Sequence, residues 1–190
     1  MSTVRLLVLG SILRRGISHG YAVYNDLTSW RAETWTNVKP GSIYHALEKL
    51  EAQGMTRTEA SNDQVKLGPS RTEYSITAVG KAEFKSLLES ALQNFEIQTF
   101  AVGIAYMDML PRPHVIRLLQ NRASALKESA AFLTTLPTEE MPTDPSKHPE
   151  LVGLWKNYLE SEIANTLRLI HSIESGKYAF ADEQRGGIES

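Results

Sequence analysis

The chain has 190 residues, no cysteine and a formal net charge of −2, with 42% hydrophobic and 22% charged residues. Such values fit one large or two small globular domains with ordinary cores. They exclude a disulfide framework and the usual cysteine-ligated zinc fingers, and they supply no global electrostatic pull towards nucleic acid.

Charge is uneven along the chain. Residues 1–94 hold 11 Lys/Arg against 9 Asp/Glu (+2), and residues 95–190 hold 9 against 13 (−4). The difference is small, so the local placement of basic groups matters more than the sum. The longest apolar runs, LLVLGSIL and FAVGIAYM, are too short to span a bilayer. No small-residue cleavage site follows the first run, which argues against a signal peptide and makes the cytoplasm the expected location.

Taken in order, residues 3–15 carry Val4, Leu7, Val8, Ile12 and Leu13, with Leu6 and Leu9 besides, and predict a largely buried helix closed by Gly16. Ser18 is the expected N-cap of a second helix over about 19–33, with Tyr21, Tyr24, Leu27 and Trp30 among its larger residues. Aromatic residues such as Trp30 and Trp35 are expected in the core. Pro40 suits the first turn of a third helix, in which Ile43, Leu47 and Leu50 recur at i, i+4 and i+7 before Gly54. The period then changes. TRTEAS (56–61) and RTEYSI (71–76) alternate and flank a turn-rich connection, which predicts a hairpin. Thr77 is the expected cap of a fourth helix reaching Phe95.

Beyond residue 95 the pattern is helical: an apolar helix over 96–110 ending at PRP, a second over 114–135, and a third over 151–174. A loop with four prolines, 136–150, lies between the last two. Val152, Trp155, Leu159, Ile163, Leu167 and Ile170 run along the last helix, and Leu151, Leu154 and Tyr158 widen the stripe. Such width predicts burial against a second chain. Trp155 and Tyr158 would serve a dimer seam, an effector pocket or simply packing. The expected domains are 1–95, 96–176 and a flexible tail at 177–190.

Three helices followed by a hairpin form a winged helix-turn-helix, whose third helix can enter the major groove of DNA. The expected fold class is therefore mainly α: an N-terminal winged helix-turn-helix with a two-stranded β wing, plus a C-terminal α-helical dimerisation domain. Lys39, Gly41, Ser42, Tyr44 and His45 lie at or near the opening of the third helix. Ser42, His45 and Lys49 share a face distinct from that of Ile43, Leu47 and Leu50. Ser42 and His45 suit base edges or phosphates, and Tyr44 suits a phosphate or a thymine methyl. Lys66, Ser70 and Arg71 surround the wing tip. Each has a plainer alternative: Ser42 as a residue that only completes the helix opening, Tyr44 as a cover for the core, and Lys49 and Lys66 as solvated surface groups.

The segments LLVLGSILRRGISHGYAVYNDL, VKPGSIYHALEKLEAQGM and GPSRTEYSITAVGK resemble successive signatures of the PadR family of bacterial transcriptional regulators, over about residues 4–85. The C-terminal half resembles the family's larger subgroup in length and helical pattern. The resemblance implies a homodimer that represses a gene near a palindromic operator on double-stranded DNA. It implies DNA contacts at Lys39, Gly41, Ser42, Tyr44 and Arg71, and a phosphate contact at Tyr21. Two departures stand out. Relatives often have Ser or Thr as the N-cap where this chain has Lys39, and the wing reads GPSRTEY where more basic residues are usual.

Two further classes stand beside a regulator. A winged helix can serve protein–protein contact without DNA, which the acidic balance favours slightly. Catalysis has little support: the five histidines are scattered, and no P-loop, G-x-S-x-G or G-x-G-x-x-G occurs. No cofactor or metal is expected.

Overall fold

The computed structural model describes residues 3–36, 38–59, 72–135 and 149–183. Helix α1 (Thr3–Arg15) buries Leu6, Leu7, Val8, Leu9 and Ile12, and so forms the centre of the first compact unit. Gly16 closes it at φ 84°, a left-handed conformation that glycine adopts without penalty. Strand β1 (Ile17–His19) follows, then α2 (Gly20–Ser29), a short α3 (Ala32–Trp35) and α4 (Pro40–Ala52). Strands β2 (Thr56–Glu59) and β3 (Glu73–Ile76) pair antiparallel, with Thr56 opposite Ile76 and Glu59 opposite Glu73. Helix α5 (Ala78–Leu92) starts where the Thr77 hydroxyl accepts from the Gly80 amide at 3.1 Å, as the cap expectation required.

Three details differ from the sequence expectation. The sheet has three strands in the order β1-β3-β2, because Ile17–His19 pairs with Glu73–Ser75. A three-residue strand is too short to show alternation. The cap of α2 is His19, whose Nδ1 accepts from the Ala22 amide at 3.0 Å, while Ser18 lies buried in β1. Helix α2 also stops at Ser29 instead of residue 33. The hydroxyls of Thr28 and Ser29 turn back to the carbonyls of Tyr24 and Asp26, and Arg31 takes φ 52°.

Helix α6 (Ile97–Tyr106) continues into a 3-10 turn (Met107–Met109), then come α7 (Arg112–Leu133) and α8 (Pro149–Glu174). Residues up to 91 together with 96–106 cluster as one unit, and residues 92–95 with those from 107 onward as the other. Residues 96–106, which the sequence reading placed with the C-terminal helices, thus cluster with the winged helix. There the Tyr106 hydroxyl donates to the Leu7 carbonyl at 2.9 Å, and its ring lies 5.5 Å from that of Trp30.

In the second unit α7 and α8 pack on each other. Helix α8 buries Leu159, Glu162, Thr166, Ile170 and Ile173 along one side. The expectation of a flexible tail after Gly176 fails for residues 177–183. Phe180 is fully buried, and the Arg112 guanidinium lies 4.9 Å from its ring. Arg112 also donates to the Tyr178 and Ile173 carbonyls and pairs with Glu183 at 2.5 Å. Sequence periodicity cannot register this anchor, because one phenylalanine outside a helix carries no period.

Candidate nucleic-acid interface

Helix α4 is held from below and left open above. Ile43, Leu47 and Leu50 are buried, each contributing about 1.5–3 kcal/mol. That burial outweighs a weak helix start, because a missing N-cap costs only about 1 kcal/mol. The start is indeed unconventional. Lys39 occupies the N-cap position with extended backbone (φ −105°, ψ 151°), and its ammonium has no acceptor to offer. Ser42 makes up part of the loss. Its hydroxyl accepts from the Lys39 amide at 3.1 Å and donates to the Lys39 carbonyl at 2.6 Å.

The opposite side of α4 presents Gly41, Tyr44, His45 and Lys49 to solvent, with Lys39 exposed just before it. Tyr44 is 44% exposed although its ring lies against Gly20. Neither Lys39 nor Lys49 makes an ion pair among the described residues. Other nearby cations are occupied. Arg57 lies 2.8 Å from Glu59, and Arg15 lies 2.9 Å from Asp26. The Ser75 hydroxyl and Arg57 together hold the Glu59 carboxyl below its usual range. Lys39 and Lys49 thus place two exposed ammonium groups at the opening and on the outer side of α4, beside the exposed Glu48 carboxylate.

Tyr21, at the opening of α2, is 57% exposed. Its ring stacks between His19 (6.4 Å) and Tyr24 (6.2 Å). A cleft of about 310 Å³ joins the two helix openings, with His19, Tyr21, Tyr44, Thr72 and Tyr74 on its walls. Burial, then the Glu51 and Glu48 carboxylates, push the Tyr74 phenol above its ordinary range, so it remains a neutral donor. His19, Thr72 and Tyr74 were not singled out from sequence. Their proximity depends on β1 pairing with β3, which no local pattern announces.

The sequence candidates are therefore distributed as follows. Tyr21, Lys39, Gly41, Ser42, Tyr44, His45 and Lys49 lie on the two helix openings and the outer face of α4. Within that set Ser42 is committed to Lys39: its single proton already goes to a backbone carbonyl. Lys66, Ser70 and Arg71, the wing candidates, lie outside the described residues.

On α8 the broad stripe divides in two. Leu159 and Ile170 are buried within their own unit, and Val152, Tyr158 and Ile163 are half-buried. Trp155 and Leu167 are 49% and 44% exposed, alongside exposed Leu151 and Leu154. A groove of about 660 Å³ runs between α7 and α8, with Phe95, Phe132, Trp155 and Leu159 as apolar walls and Glu128 and Ser129 as its polar groups.

Helix α2, helix α4 and a hairpin joined by a third short strand define a winged helix-turn-helix, the class of domain that reads DNA in transcription regulators. Residues 8–86 match the family described as "Transcriptional regulator PadR-like family". The match to this family of transcriptional regulators thus spans the winged helix-turn-helix and less than half of the chain. No curated protein matches it. Among solved structures, that of Bacillus subtilis PadR in complex with operator DNA is similar at 19% identity, covering 90% of this chain and 99% of that one with a TM-score of 0.41. A PadR-like transcriptional regulator from Bacillus cereus is similar at 15% identity, covering 91% and 99% with a TM-score of 0.38. Among the described residues, no helix is long and apolar enough to cross a membrane.

Proposed function

We propose that this regulator is a homodimeric repressor that binds a pseudo-palindromic operator through α4 and is released by a small molecule or another signal. The observation that carries the reading is the two-sided character of α4. Ile43, Leu47 and Leu50 anchor it, while Gly41, Tyr44, His45 and Lys49 remain exposed. In this reading α4 lies in the major groove. Lys39 and Lys49 meet phosphates, Tyr44 and His45 meet base edges or the backbone, and Tyr21 reaches a phosphate from α2. Ser42 sets the direction of the first turn. Lys66, Ser70 and Arg71 extend the contact from the wing.

Dimerisation doubles the number of phosphates neutralised and makes the half-site separation selective. Exposed Leu151, Leu154, Trp155 and Leu167 support α8 as the seam with a second copy. The groove beside Trp155 is the proposed effector pocket. An effector acts there only by binding two dimer shapes with different affinity. The expected domains are the winged helix and the C-terminal helices, the setting is the cytoplasm, and no catalytic role is assigned.

The reading is tested by mapping the genomic DNA bound by the purified protein and then titrating the recovered site. An inverted repeat is expected, with affinity falling steeply as salt rises. Tyr44→Ala combined with Lys49→Ala is expected to abolish specific binding. Sequence-independent binding, or a salt-insensitive complex with protein alone, would overturn the proposal in favour of a protein-contact module.

A further inference from the structure

Helix α4 carries a carboxylate that the sequence reading passed over. Ile43, Leu47 and Leu50 define its buried face. At about 100° per residue, Gly41, His45 and Glu48 fall in a row on the opposite side, and all three are exposed. Gly41 adds no side chain to that row, so His45 and Glu48 stand out furthest from the core. Tyr44 lies exposed on one flank of the row and Lys49 on the other.

Among the described residues the Glu48 carboxylate makes no hydrogen bond or ion pair. Its charge nevertheless reaches β3. After burial and Glu51, it is the third cause that pushes the Tyr74 phenol upward, and Tyr74 shares a cleft with Tyr21 and Tyr44. Glu48 is thus placed on the side of the winged helix where the openings of α2 and α4 lie.

An ionised carboxylate is an acceptor only. On a helix face that meets DNA it is repelled by phosphate, and it weakens binding unless a donor meets it. In the major groove the donors are the amino groups of cytosine and adenine. Guanine and thymine present acceptors there. Adenine sets its N7 acceptor beside the amino group, where it opposes the second carboxylate oxygen. Cytosine sets a C–H there, which does not repel. The base that suits Glu48 is therefore cytosine.

We infer that Glu48 is a specificity-determining residue, accepting from the N4 amino group of one cytosine in each half-site and repelling the other three bases at that position. This deepens the operator reading above and rests on it. Its effect is on selectivity more than on affinity, because the cytosine bond offsets the phosphate repulsion and no other base does so.

The test uses the full-length protein and the operator recovered by genomic mapping. Each position of one half-site is changed in turn to every other base. Affinities are compared by competition at one salt concentration for the wild type, Glu48→Ala and Glu48→Gln. The wild type is expected to show one position at which cytosine is preferred by about tenfold. Glu48→Ala is expected to level that position alone, and to bind unrelated DNA several-fold more tightly than the wild type. Glu48→Gln is expected to move the preference there from cytosine to adenine, because its amide pairs with N6 and N7. Thermal melts of both variants are expected to match the wild type, since the side chain is exposed. Base preferences that Glu48→Ala leaves unchanged, or a uniform loss of affinity for all sequences, would mark Glu48 as a solvated surface group and overturn the inference with the operator reading intact. A wild-type protein without base preference at any position overturns both.

Discussion

The ring of Tyr44 rests on Gly20. A Cβ built at residue 20 would stand 3.0 Å from Tyr44 Cε1 and 3.3 Å from Leu47 Cδ1. The opening of α2 thus sets how far the Tyr44 hydroxyl projects from α4. Gly41 is different: a Cβ there would meet nothing within 4 Å, so the fold itself has no steric need for glycine at that position.

Gly20→Ala is expected to push the Tyr44 ring outward by a few tenths of an ångström. Overpacking of this size costs about 1–3 kcal/mol in a well-packed core, and less here because Tyr44 is half-exposed. Operator affinity is expected to drop several-fold, with a melting temperature only slightly lower. Fluorescence anisotropy on labelled operator, read beside a thermal melt, separates the two. Unchanged affinity would show that Tyr44 does not depend on Gly20 for its placement.

Lys39→Ser sets two properties against each other. A serine N-cap is expected to stabilise the protein by about 1 kcal/mol, since it supplies the acceptor that lysine lacks. Loss of the ammonium is expected to weaken DNA binding across all sequences and to reduce the salt slope by about 1. Denaturant unfolding and a salt titration measure the two effects. A stabilised protein with an unaltered salt slope would remove Lys39 from the phosphate contacts.

The segment past α8 should loosen in acid. The Arg112 guanidinium, followed by the Phe180 amide, holds the Glu183 carboxyl below its usual range, and Glu183 in turn raises Arg112. A carboxylate whose folded value is depressed stabilises the fold above its unfolded value. That contribution is lost as the pH falls through the folded one. Hydrogen exchange at the Ala181 amide, which donates to the Asp108 carbonyl at 3.0 Å, is the local probe. Its protection is expected to decline below about pH 4 in the wild type. In Glu183→Gln it is expected to be lower at neutral pH and to lose that acid dependence.

Much of the proposed DNA-reading surface is legible in sequence because its signals are local. Ile43, Leu47 and Leu50 mark one face of a helix by spacing alone, and that spacing leaves Gly41, Tyr44, His45 and Lys49 on the others. Pro40 opens the same helix and Gly54 lies just past its end. Ser42 was harder to place, since a hydroxyl suits both a base and a backbone. Its bonds to Lys39 show that it shapes the helix opening.

Helix identity, the outward face of α4 and the closing glycines follow from the sequence itself, because each depends on residues within two turns of one another. Other features were settled only by tertiary structure: the third strand that brings His19 beside Tyr74, the contact of Tyr44 with Gly20, the burial of Phe180, and the hydrogen bonds from Arg122 and Tyr158 to the carbonyls of residues 94 and 95. It also divided the α8 stripe, giving Leu159 and Ile170 to the chain's own core and leaving Trp155 and Leu167 exposed. The physical reason is common to all of these. Periodicity reports that a side chain prefers to be buried, whereas the partner that buries it lies far along the chain, as Glu162 does from Arg122 and Phe95 from Tyr158.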